Sequence, residues 1–113
     1  MPQVNYRYDK AKAETQANKA MGVIEKAGLI KSDGTNRNYR ECLQHTAQWI
    51  KDNRLGDLRH MDRDTATRYL DEMKSVYSQK TLDMHRQAIQ AHFHATGVLQ
   101  SKETLPVTKS EVQ

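Results

Sequence analysis

Apolar residues recur at helical spacing in four stretches of the chain, and no stretch shows the strict alternation of a half-buried strand. In the first, roughly Asp9 to Ala27, Ala13, Ala17, Ala20, Met21, Ile24 and Ala27 share one stripe. Gly28 stands where a helix-ending glycine belongs, with Leu29 placed to fold back on the last turn. The second helix is expected over about Arg37 to Asn53, capped by Thr35 or Asn36. Its inward face is Tyr39, Leu43, Thr46, Ala47 and Ile50, flanked by Cys42 and Trp49, with Trp49 expected against the third and fourth helices. A connector with Gly56 follows, pinned by Leu55 and Leu58.

The third helix is expected from Arg63 to Tyr77, capped by Asp62 with Met61 as a hydrophobic staple. Ala66, Tyr69, Leu70, Met73 and Val76 form its stripe. The fourth begins after Ser78 and ends at Gly97, with Leu82, His85, Ile89, Phe93 and Thr96 on one face. After Leu99 the pattern lapses. Residues 100–113 read as a linker or frayed end, and residues 1–8 as a flexible start. The fold class is therefore all-α, a small four-helix orthogonal bundle spanning residues 9–99.

Composition narrows the function. The 113 residues suit one domain. Charged residues are 28% and hydrophobic ones 36%, which is polar but still enough for a modest core. The net charge of +4 permits a nucleic-acid partner without requiring one, because 14 acidic residues dilute the 18 basic ones. A lone cysteine, Cys42, excludes an internal disulfide and points to a reducing, cytoplasmic setting. The polar start is unlike a secretory signal, and no apolar run could span a bilayer, so no membrane partner is expected.

Little in the chain offers chemistry. His85, His92 and His94 share the fourth helix, but His92 and His94 point to different sides and no third ligand accompanies them. No metal and no cofactor are expected. No phosphate-binding glycine loop, nucleophile elbow or paired carboxylates are present, so neither catalysis nor a small-molecule ligand is expected. The helix starts are more informative. The second offers Asn36, Arg37 and Arg40 after Thr35, and the fourth offers Ser78, Gln79, Lys80 and Thr81. Free amides at a helix N-terminus suit a phosphate oxygen. Gln44 and Gln87 point away from the core, and amide side chains can read base edges. Capping and solvated faces explain the same residues equally well.

The order "YRECLQHTAQWIKDN", "LGDLRHMDRDTATRYLDEMKS", "YSQKTLDMHRQAIQAHFHATG" resembles the core-binding domain of tyrosine recombinases, the phage-integrase family. Trp49 matches the aromatic near the end of one helix. "LRHMDRDTATRYL" matches the stretch leading into the next. Ser78, Thr81, Leu82, Ala88 and Ile89 match the family's last helix start. The likeness covers about residues 36–97.

It implies double-stranded DNA as partner, bound at a core recombination site together with further recombinase subunits. The family's catalytic residues lie in a second domain, so this stretch is expected to be no enzyme, with residues 100–113 leading toward that domain. A bacterial or phage-encoded, nucleoid-associated protein is implied. Met84 and Asp83 depart from the pattern. Met84 is expected on the exposed face where a polar residue is usual, and Asp83 would repel phosphate. Two other readings remain beside DNA positioning: a protein-interaction module docking through the alanine-rich first helix, and a stand-alone DNA-binding regulator.

Overall fold

The computed structural model describes residues 12–30 and 32–112. Its helices are α1 (Ala13–Lys26), α2 (Asp33–Asp52), α3 (Arg63–Met73) and α4 (Gln79–Thr96), with a 3-10 turn at Leu58–His60 between α2 and α3. The protein is an all-α, four-helix fold, and no strand occurs among the described residues. The expected start of the first helix at Asp9 and the segment 1–8 lie outside the described residues.

Local chemistry accounts for most boundaries. Asp62 accepts from the Thr65 amide at 2.8 Å and opens α3. That bond, with the Thr65 hydroxyl adding to it, holds the Asp62 carboxyl below its usual range. Ser78 accepts from the Thr81 amide and opens α4. Gly97, at φ +86°, closes α4 in the left-handed conformation. Gly28, at φ +72°, does the same for α1, its amide reaching the Glu25 carbonyl.

The start of α2 corrects the sequence reading. It is capped by Ser32, whose hydroxyl accepts from the Thr35 amide, so the helix begins at Asp33 rather than Arg37. Ser32, Thr35 and Asn36 are all competent caps, and Gly34 inside the first turn disguised the earlier start. At the other end Arg54 takes the left-handed conformation, φ 55°, where glycine is commoner.

α1 packs on α2 and α4, α2 packs on α4, and α3 closes against α4. The alanine stripe of α1 is inward: Ala13, Ala17 and Ala20 are buried beside Met21 and Ile24. Small side chains let the helix axes approach, and the stripe is consumed within the core rather than left for a partner. Gln16 joins this face fully buried, accepting from the Leu58 amide at 2.9 Å and fastening the connector to α1. Met61 is buried, as its staple position implies. Ala27, Val76 and Thr96 are exposed, so three of the four expected stripes lose their last member, while the stripe of α2 keeps Ile50. For Val76 the cause is that α3 stops at Met73, short of the expected Tyr77. Leu29 also stays exposed, and only its backbone returns to α1.

Residues 100–112 are not frayed. They form an irregular strap along α4. Leu105 is buried, and its amide donates to Gln90 Oε1 at 2.9 Å. Gln79 clamps the strap twice, donating to the Thr108 carbonyl and accepting from the Ser110 amide. Arg63 pairs with both Glu103 oxygens at 2.9–3.0 Å. Side-chain amides substitute here for backbone ladders, so hydrophobic periodicity carried no sign of the docking.

Candidate nucleic-acid interface

The outer side of α2 lies opposite Leu43, Ala47 and Ile50. At helical spacing it carries Arg37, Arg40 and Gln44, all exposed. Lys80 and Gln87 are exposed in the same way on α4. Among the described residues, none of these five has a side-chain hydrogen bond or ion pair. Long cationic side chains in this condition keep their charge available to an anion.

The other candidates are committed elsewhere. Asn36 is half-buried and donates its amide to the Glu25 carboxylate, tying α2 to the end of α1. Ser78 and Thr81 bond to each other through their hydroxyls while Ser78 caps the helix. Gln79 is held by the strap. Capping thus accounts for the hydroxyls at both starts, and the exposed cations are what remains.

The structure does bring the two helix starts into one region. A cavity of about 240 Å³ is lined by Asn38, Glu41, Cys42 and His45 of α2 and by Thr81, Met84 and His85 of α4, with Tyr77 at its edge. The first turn of α4 therefore abuts the N-terminal half of α2. Met84 is half-buried in this groove, which corrects its expected place on the exposed face. Asp83 is balanced in part, accepting from Gln79 at 3.0 Å and lying 3.7 Å from Arg86. The exposed carboxylate of Glu41 at the groove is a repulsive element for phosphate that the spacing of cations did not reveal.

Beneath the groove lies a polar cluster inside the core. Tyr69 Oη and His85 Nδ1 are 2.9 Å apart, and both residues are buried. Burial, with the His45 charge adding to it, lowers the His85 pKa to about 4. His85 is therefore neutral at pH 7, stacked on Tyr77 at 4.6 Å. Burial also pushes the Cys42 thiol up to about 12, which makes it an inert core side chain. Trp49 is half-buried, edge-on to Tyr69 at 5.3 Å and 5.8 Å from the Arg68 guanidinium. It meets α3, one of the two helices expected to cover it. The tyrosine–histidine pair was missed, although Tyr69 and His85 both stood on core stripes, where a polar ring requires a partner.

No group of metal-ligating side chains occurs among the described residues, and no described helix is long and apolar enough to cross a membrane. Comparisons with known proteins found no matching family model, no similar curated protein and no similar solved structure.

Proposed function

We propose that the chain binds double-stranded DNA through the outer side of α2 and the first turn of α4. In this reading it acts as a core-binding domain of tyrosine-recombinase type, positioning a recombinase at its site. The observation that carries the reading is the groove joining Thr81 to Asn38 and His45. It sets one helix start against the helix that displays Arg37 and Arg40, with Lys80 one residue from Thr81. The order of residues shared with the recombinase domains supplies the rest.

Arg37, Arg40 and Lys80 bind phosphates and set affinity, and Gln44 and Gln87 are the amides left to read base edges. Ser78, Thr81 and Asn36 contribute through the backbone amides they hold in place. Chemistry, further recombinase subunits and a cytoplasmic, nucleoid-bound setting belong to the same proposal, with catalysis residing in another domain. Docking through the alanine stripe of α1 is disfavoured, because that stripe is buried in the chain's own core.

The test is a gel-shift series on a mixed-sequence duplex at several salt concentrations. The parent should bind with dissociation constants of about 10⁻⁴–10⁻⁶ M and lose affinity steeply with salt. Arg37→Ala, Arg40→Ala or Lys80→Ala should each lower the salt slope by about one unit. Gln87→Ala should change sequence preference more than affinity. A triple alanine variant that binds as well as the parent at every salt concentration would remove the proposed face.

A further inference from the structure

One carboxylate stands among the cations on the outer side of α2. Glu41 comes four residues after Arg37 and one after Arg40, and Gln44 follows three residues later. All four side chains are exposed, and among the described residues none has a hydrogen bond or ion pair. Glu41 also lines the groove where α2 meets Thr81 and Met84 of α4.

The fold does not use this carboxylate. Oppositely charged side chains four residues apart on a helix can meet, yet Glu41 is not paired with Arg37. It lies beyond the first turn of α2, where the helix dipole would favour an acid. Gln48, further along the same side, is by contrast committed, donating to Asp52 at 2.8 Å. Against phosphate alone, Glu41 only weakens the binding that Arg37 and Arg40 provide. Base selection is the role in which an unpaired acceptor at this place gains a partner.

We propose that Glu41 selects cytosine in the major groove of the bound duplex, accepting a hydrogen bond from the N4 amino group. The inference rests on the DNA-binding reading of this face and names a base that the face reads. A carboxylate can only accept. In the major groove guanine presents two acceptors, N7 and O6, and thymine presents O4 beside a methyl group. Adenine sets its N6 donor next to the N7 acceptor, whereas cytosine offers the N4 donor alone. Glu41 is therefore matched by cytosine, half-matched by adenine and repelled by the other two. A wrong base leaves the carboxylate desolvated without a donor. Gln44, which both donates and accepts, suits adenine instead.

The test selects bound duplexes from a randomised pool, using the full chain and three variants. The parent should enrich cytosine at one position. Glu41→Gln should replace that cytosine with adenine and leave the other positions unchanged, because an amide fits the adenine edge. Glu41→Ala should lose the preference there. In gel shifts on a duplex of A·T pairs only, Glu41→Gln should bind at least about fivefold more tightly than the parent, opposite in sign to Arg40→Ala. Glu14→Gln removes the same charge from an exposed position on α1 and should change either readout by less than about twofold. An unchanged base preference in Glu41→Gln, with Arg40→Ala still weakening binding, overturns the cytosine assignment alone. Equal behaviour of Glu14→Gln and Glu41→Gln shows an effect of net charge and also overturns it. A parent that binds no duplex overturns it together with the DNA reading.

Discussion

His85 and His92 stand two turns apart on the same buried face of α4, and both are nearly inaccessible. Burial lowers each pKa to about 4. Their partners differ. His85 has Tyr69 at hydrogen-bond distance, Tyr77 stacked on it and His45 6.1 Å away. His92 Nδ1 has nothing. One half of α4 therefore carries a completed polar cluster, while the other carries a buried ring nitrogen without a hydrogen-bond partner among the described residues. The contrast teaches that burial chiefly governs when these rings ionise, with His45 adding to it at His85, whereas partners govern what their removal costs.

The largest expected effect tests the common property. Each histidine has a folded-state pKa below its unfolded value of 6.5, so the unfolded chain binds more protons between the two values. The stabilising contribution is complete above about pH 6.5 and is lost as pH falls through about 4. By pH 4 the loss should reach about 3 kcal/mol for each ring, as an order of magnitude. Urea unfolding measured from pH 7 to pH 4 checks this, and a flat profile across that window would show that the rings are not buried neutral.

Next comes the apolar layer that both histidines share. Ile89→Ala or Phe93→Ala should cost about 2–5 kcal/mol in the same assay, because each side chain is essentially inaccessible. Losses below about 1 kcal/mol at both positions would place the core on the wrong face of α4.

The sharpest comparison uses two conservative changes. Tyr69→Phe removes the partner of His85 and should cost about 1–3 kcal/mol. His92→Phe removes an unpaired nitrogen and should change stability by less than about 1 kcal/mol in either direction. Equal costs for the two substitutions would mean that His92 Nδ1 has a partner in solution. The smallest effect belongs to the outer face: Arg37→Ala, Arg40→Ala and Lys80→Ala should shift the thermal midpoint by no more than about 2 °C while altering DNA binding.

Much of this was legible along the chain. Asp62, Ser78 and Gly97 are local devices, and each acts where its residue type implied. Ser32 was passed over because several capping residues crowd one loop and only the folded chain selects among them. The candidate site divides in the same way. The exposed cations followed from helical spacing, but the engagement of Asn36 by Glu25 and of Gln79 by the strap required knowing which elements meet.

By itself, the sequence determined that the chain is helical, where three of its four helices begin or end, and which stripes face inward. Those properties depend on spacing and on bonds between residues three or four apart. Only the tertiary structure decided that Gln16 is buried against Leu58, that residues 100–112 lie along α4, and that Tyr69 completes His85 while His92 stays open. Each of these turns on whether a polar group meets a partner from an element distant in sequence, and such pairings leave no periodic trace.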